Sequence, residues 1–482
     1  MFLLLSAVTA AAEDSLRLRP PCPSAKHRHP ASVTTRGSLL KAPARRAADL
    51  TGQRRQLVFL VAFEDKAFKE PEPLPFWERV LNEEGFREGK FRGSVHDYFY
   101  DQSYGQLSLQ FDLLYVKLDK SYKVYGGTDS KGNDEDYVNF VNDIVNASKD
   151  QVADWSVYDW DGDRQVDHIF IIYAGLGQND GGGVTTIWPN QWTLTEALAD
   201  HPEMGGEAPM TMDGGYIIDR YGCVAELDLF DSYGSFGVLC HEYSHCLGLP
   251  DFYRGSTKFV GSWDVMDYGL YNGDGFCPPG YSAHERMLLG WLEPTTLDAP
   301  ETVSELLPLN TSQQAYMIVN DGHPNEYYMI ENRQRTGWDR YLSGSGVLIF
   351  HVDYDEEAWA EGYPNSSSHV RYGIFAANNS NWSWSGWGYP FEENDSLTNL
   401  SRPAAMLLNS NVDGSYLMSK PITNIRVNFD GAASFDFKGG NVTAAAVLRA
   451  EGKHRQVLYD LGTVEIVRFD DGSVRKIVKR RR

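Results

Sequence analysis

The sequence is short of three things. Cysteine occurs only 5 times in 482 residues, too rarely for a disulfide-built scaffold. No apolar run approaches the roughly 20 residues that a membrane span needs, and the longest, Phe2–Ala12, is about half of that. Basic residues are in deficit, with 44 Lys and Arg against 66 Asp and Glu and a net charge of −22, which speaks against nucleic acid as a partner. Core-forming residues, in contrast, are plentiful. Hydrophobic residues make up 42% and aromatics 13%, too rich for a disordered chain. At about 100–200 residues per domain, the length predicts two to four domains.

Residues 1–12 read as a signal peptide. Phe2–Val8 is apolar and Ala10–Ala12 has the small-x-small pattern of a cleavage site, although no Lys or Arg precedes it. A secreted or cell-surface location is therefore expected. Residues 13–55 read as a basic, Pro-rich prosegment or linker. Met1–Arg55 holds ten basic and three acidic residues, a charge of +7 that leaves −29 on the remainder. Such a segment is either a flexible tail or one that lies across an acidic cleft. Arg45-Arg46 and Arg54-Arg55 are candidate trimming sites. Without Cys22, the remaining Cys223, Cys240, Cys246 and Cys277 are an even set that allows one or two disulfides.

Leu57–Phe63 and Ile169–Ala174 are continuous apolar runs of strand length, the pattern of strands covered on both faces. Between them, Glu135–Lys149 reads as an amphipathic helix with Val138, Phe140, Val141, Ile144 and Val145 on its apolar face. This alternation predicts an α/β layered domain over 56–294. Short segments such as Tyr327–Ile330 and Val347–Phe350, separated by turn residues, predict a β-rich C-terminal part over 295–440. Residues 441–482 are expected as a basic tail.

The stretch carrying most chemistry is His241-Glu242-Tyr243-Ser244-His245-Cys246-Leu247-Gly248-Leu249-Pro250-Asp251. On a helix, imidazoles four residues apart stack on one face and can bind one Zn²⁺. Glu242 beside them can accept a proton without becoming a ligand. Gly248 and Pro250 end the helix, and a φ > 0 turn at Gly248 would swing Asp251 back as a third ligand. Three protein ligands and an open position make a catalytic rather than a closed structural site. Downstream, Met266 offers a polarizable apolar floor for the histidines, and Tyr268 a hydrogen-bond donor for a developing oxyanion.

These motifs resemble the M6 family of secreted bacterial metalloendopeptidases, the immune inhibitor A-like group. The resemblance rests on His241–Tyr253 and Gly261–Met266, with Ala225-Glu226-Leu227, Leu289-Gly290-Trp291, Glu331-Asn332-Arg333, Gly337-Trp338-Asp339 and His351-Val352-Asp353 around them. It implies a zincin-type, metzincin-like catalytic domain and a zinc endopeptidase made as a zymogen, acting on protein or peptide substrates, with a monomer expected. Ser244 departs from the family's usual glycine, and Cys240 and Cys246 bracket the motif. Glu285 is the alternative third ligand, since another zincin group uses a downstream helical Glu.

A second metal site is suggested by Asp159-Trp160-Asp161-Gly162-Asp163-Arg164-Gln165-Val166-Asp167. Carboxylates at alternate positions around a glycine resemble the first part of a calcium loop, with the Gln165 carbonyl and Asp167 as further ligands. The place of the closing glutamate is taken by Phe170, so this is not an EF-hand. The function expected is metal-assisted amide hydrolysis with Glu242 as general base. The alternatives are a zincin-type exopeptidase, or a cell-surface peptide- or carbohydrate-binding protein on a protease fold.

Overall fold

A computed structural model describes residues 50–127, 136–381, 386–441, 455–460, 464–469 and 474–478. The signal-peptide expectation, Cys22, Arg45-Arg46 and most of the expected prosegment lie outside these residues.

The first layer is a five-stranded sheet. It contains β1 (Gly52–Ala62), β2 (Leu107–Lys117), β3 (Ile169–Leu176), β4 (Asn190–Thr193) and β7 (Arg220–Leu227), in the order β2-β1-β3-β7-β4. All neighbours are parallel except β4, which runs antiparallel to β7 at the edge. The short hairpin β5 (Met210–Thr211) and β6 (Ile217–Ile218) lies outside this sheet. Helices cover both faces: α1 (Pro73–Asn82), α2 (Val95–Gln102), α3 (Tyr137–Ser148), α4 (Leu194–Asp200) and α5 (Phe236–Leu247).

The period-two alternation of the strands sorts residues between these layers. Val58, Leu60, Phe170, Ile172 and Val224 pack with α1, α2 and α5. Leu57, Phe59, Ile169, Ile171 and Cys223 pack with α3 and α4. Because both faces are buried, the strands read as unbroken apolar runs.

Two expectations at the N-terminal side change. The folded body includes Leu50–Arg55 and does not start at residue 56. Gly52–Arg55 pairs in register with Leu107–Gln110, Leu50 is buried, and its carbonyl accepts from Trp291 Nε1 at 2.8 Å. The polar first half of β1 lies at the exposed end of the sheet and carries no apolar signature. The helix starts at Tyr137 and ends at Ser148, and Glu135 lies outside the described residues.

Beyond α6 (Ala283–Leu288) come β8 (Thr295–Thr296), β9 (Glu301–Leu306), β10 (Tyr316–Val319), β11 (Glu326–Arg333), β12 (Gly346–Asp353), α7 (Glu356–Ala360), β13 (Tyr372–Ile374), β14 (Ile422–Val427) and β15 (Ala433–Phe437). They form one sheet in the order β13-β12-β11-β10-β8 and another in the order β14-β15-β9. The division expected at residue 294 is not a gap in the core. Tyr327, Met329, Leu348 and Phe350 join the cluster that contains α5, while Tyr328, Ile330, Val347 and Ile349 face the smaller sheet. The larger sheet is thus the middle layer of one continuous body.

Where a basic tail is expected, β16 (Arg455–Asp460), β17 (Val464–Phe469) and β18 (Val474–Val478) form an antiparallel meander. No disulfide joins Cys223, Cys240, Cys246 and Cys277 to one another. Cys277 Sγ faces the Trp338 carbonyl at 3.4 Å, and Cys240 and Cys246 lie a turn and a half apart on α5, on different faces.

Candidate active site

α5 is buried over its whole length except at Cys246, so it reads as a core helix rather than an amphipathic surface one. Its entry passes under the next loop with no room to spare. A Cβ at Gly237 would lie 1.9 Å from the Leu270 carbonyl oxygen, so only glycine permits this approach. At the exit, Gly248 takes φ 109°, and its N–H caps the carbonyls of Ser244 and His245. That left-handed step reverses the chain within the next three residues and returns Asp251 to the helix face.

His241, His245 and Asp251 converge. His241 Nε2 lies 3.2 Å and His245 Nε2 3.3 Å from the same Asp251 Oδ1. All three residues have 0–1% exposure. With bonds of about 2.0–2.1 Å, the edges of a tetrahedral zinc site are about 3.3–3.4 Å, so this set is spaced for such an ion.

The ring orientations agree with that. His241 Nδ1 faces the Val265 carbonyl at 2.8 Å, and His245 Nδ1 the Leu249 carbonyl at 2.7 Å. A carbonyl only accepts, so each Nδ1 carries the proton and each Nε2 presents its lone pair to the common centre. His241 Nε2 makes no hydrogen bond although it is fully buried. The donor set, two neutral imidazoles and one carboxylate, suits Zn²⁺.

Both oxygens of Glu242 are also buried without a hydrogen-bond partner. Burial pushes this carboxyl up to about 8, with His245 acting in the opposite direction. For Asp251, burial alone would raise the pKa, but the two imidazoles outweigh it and hold the carboxyl well below its ordinary range. His241 is lowered by burial. His245 is raised, because Asp251 and Glu242 together overcome its burial.

Glu285 is placed elsewhere. Its Oε2 accepts the Ser282 N–H at 2.6 Å and its own N–H bonds Ser282 Oγ, capping α6. Burial, followed by the charge of Asp264, pushes it well up. Met266 is fully buried in the turn after Trp263, and its carbonyl accepts from Phe252 N–H at 2.8 Å. Tyr268 is one ring removed from the cluster. Tyr253 stacks on His241 with centroids 6.2 Å apart, Tyr268 meets Tyr253 edge-on at 6.3 Å, and Lys258 Nζ sits 3.5 Å over the Tyr268 ring.

The acidic loop brings Asp159, Asp161 and Asp163 together. Asp159 accepts the N–H groups of Gly162, Asp163 and Arg164. Gln165 bonds Asp163 through its N–H and its side-chain amide. Asp167 is not part of the group, because its Oδ2 accepts the Trp160 N–H at 2.5 Å. Burial pushes that carboxyl up to about 7.

Several contributors carry no residue-type signal. The carbonyls of Val265 and Leu249 orient the histidines but leave no mark in the sequence. Tyr253 belongs to the H-E-x-x-H…D-x-Y pattern, yet its stacking on His241 follows only from the turn at Gly248.

A buried His-His-Asp cluster beside an unpartnered glutamate is a metallopeptidase arrangement, and residues 76–289 match the immune inhibitor A peptidase M6 catalytic domain. That match covers less than half of the chain and assigns this segment to the M6 peptidase type. It is similar to immune inhibitor A of Bacillus thuringiensis subsp. alesti, at 31% identity over 30% of this chain and 23% of that protein. It is also similar to the pre-pro-metalloprotease PrtV of Vibrio cholerae serotype O1, at 26% identity over 45% of this chain and 26% of that protein. The chain spans about a quarter of the length of these curated relatives.

Proposed function

We propose that the protein is an exported zinc endopeptidase, made as a zymogen, that hydrolyses internal peptide bonds of protein substrates. The observation that carries this reading is the convergence of His241 Nε2 and His245 Nε2 on Asp251 Oδ1 beside Glu242. His241, His245 and Asp251 would hold the zinc. When bound, zinc supplies Lewis acidity that polarises the scissile carbonyl and lowers the pKa of water toward about 7.

The chain's own residues do the rest. Glu242 takes a proton from the attacking water and returns it to the leaving amine. Its carboxylate has no competing hydrogen bond, so that proton has a vacant acceptor. Tyr268 is the proposed donor to the oxyanion, with Tyr253 as the nearer phenol. The charge contrast supports the zymogen reading, since Met1–Arg55 carries +7 ahead of a remainder of −29. Asp159, Asp161 and Asp163, with Gln165, are proposed to hold a structural Ca²⁺, a hard cation suited to carboxylate oxygens.

The test is Glu242→Gln. Zinc content is expected to remain at one ion per chain, while cleavage of casein falls by at least about 10²–10⁴-fold. Retained cleavage would remove Glu242 from the role of base. Mass spectrometry of the wild-type products separates the classes: internal fragments support an endopeptidase, and loss of terminal residues alone an exopeptidase.

A further inference from the structure

The two histidines and the aspartate are supported from different parts of the molecule. His241 and His245 are oriented by carbonyls of Val265 and Leu249, both inside the segment that matches the M6 domain, which ends at residue 289. Asp251 is gripped from beyond it. Its backbone N–H donates to the Gly362 carbonyl at 2.9 Å. The next carbonyl, that of Phe252, accepts from Asn365 Nδ2 at 2.9 Å.

Asn365 is 1% exposed and works as a bracket. The same Nδ2 donates to the Tyr372 carbonyl at 2.8 Å, and Oδ1 accepts the Tyr372 N–H at 2.8 Å. The bracket ties the residue after Asp251 to the first residue of β13. The Phe252 ring lies on Tyr372 at 3.9 Å between centroids and meets Trp359 of α7 at 6.4 Å. The Phe252 N–H is held by the Met266 carbonyl, but the grip on the Asp251 N–H and the Phe252 carbonyl and the ring packing come from one segment, Trp359–Tyr372.

We infer that this segment is a positioning clamp for the carboxylate ligand, with Asn365 as its positioning residue. Metal-binding competence then belongs to the catalytic layer and the middle sheet together. The inference rests on the proposed reading of Asp251 as a ligand. An aspartate has a short side chain, so its oxygen goes where its backbone is fixed. A ligand displaced by about half an ångström no longer matches the site, and losing an outer support of this kind typically costs 10–100-fold in metal affinity.

The test is zinc affinity of the full-length chain, measured by competition with a chromogenic chelator, with thermal unfolding of the same variants in EDTA. Asn365→Ala is expected to weaken zinc about 10–100-fold. The control is Asn332→Ala, which removes a similar buried amide that donates to the carbonyls of Leu306 and Gly431. It is expected to lose stability with its zinc affinity unchanged. Should Asn365→Ala not fold, Asn365→Ser, with a shorter donor and acceptor, serves in its place. Undiminished affinity in the Asn365 variant, or an equal loss in both variants, overturns the clamp. Asp251→Ala separates the two claims. If it binds zinc as tightly as the wild type, the ligand reading falls and the clamp with it. If it loses zinc while the Asn365 variant does not, only the clamp is refuted.

Discussion

Arg333 is fully buried where the middle sheet meets the catalytic layer, and its replacement by Met should be among the most damaging single changes in the body. Its Nε and Nη2 reach Asp339 at 2.8 and 2.5 Å, and Nη1 reaches Glu331 at 3.2 Å. Nη2 also donates to the Gly280 carbonyl at 2.8 Å. Burial works against the guanidinium charge, but Asp339 and Glu331 outweigh it and hold its pKa above the ordinary value. Met fills a similar volume but donates nothing. Asp339 keeps only the Gly280 N–H and Glu331 only the Ala283 N–H, which leaves two dry carboxylates with no hydrogen-bonded cation, although the charge of Arg286 still favours ionised Glu331.

Hydrogen bonds to charged groups contribute about 1.5–3 kcal/mol each. Glu331 is already raised by burial and can take up a proton, which caps the loss. About 3–5 kcal/mol is therefore expected, the usual cost of stranding a buried charge. Urea unfolding at pH 7 and pH 5 measures it, and the loss should be smaller at pH 5, where Glu331, already raised by burial, takes up a proton more readily. Adding Glu331→Gln and Asp339→Asn should recover most of the stability. A loss below about 1 kcal/mol for Arg333→Met alone, or no recovery in the triple variant, would refute the reasoning.

Acid should weaken the fold through its buried histidines. Burial drives His168 and His284 down to about 3 from 6.5, so below pH 6.5 the unfolded chain binds protons that the native chain refuses. Their contribution is fully present above pH 6.5 and fades toward pH 3 by about 1.4 kcal/mol per pH unit for each. The stability gap between wild type and His284→Asn should therefore change by about 2 kcal/mol from pH 7 to pH 5 in favour of the variant, and a constant gap in urea titrations would contradict this. For the acidic loop, calcium at 100 times its dissociation constant should stabilise the wild type by about 2.7 kcal/mol with zinc held fixed, and Asp161→Asn should abolish the effect. Equal melting temperatures with and without calcium in the wild type would exclude the site.

What was legible in the sequence is what short-range periodicity encodes. The four-residue spacing of His241 and His245, the glycine that ends α5 and the unbroken runs of β1 and β3 are local patterns, and each leaves its mark in adjacent residues. The supports of the site are long-range. Asn365 sits in an ordinary polar loop, Asn365-Ser366-Ser367-Ser368, and nothing in that stretch announces a partner at Phe252. Likewise, Tyr327–Ile330 reads as a strand, but which of its faces meets the catalytic layer depends on a register that spacing cannot supply. The Gly52–Arg55 end of β1 leaves no such mark, because exposed strand ends bury no apolar side chains.

That end of β1 limits how the chain can be shortened. A protease needs several residues of free, extended backbone in its own cleft, and the backbone around Arg54 and Arg55 is already committed to a neighbouring strand. Cutting there would first require unzipping the sheet and withdrawing Leu50 from Trp291. Of the two dibasic pairs, only Arg45-Arg46 precedes this anchor, and processing at that pair would leave the central sheet whole.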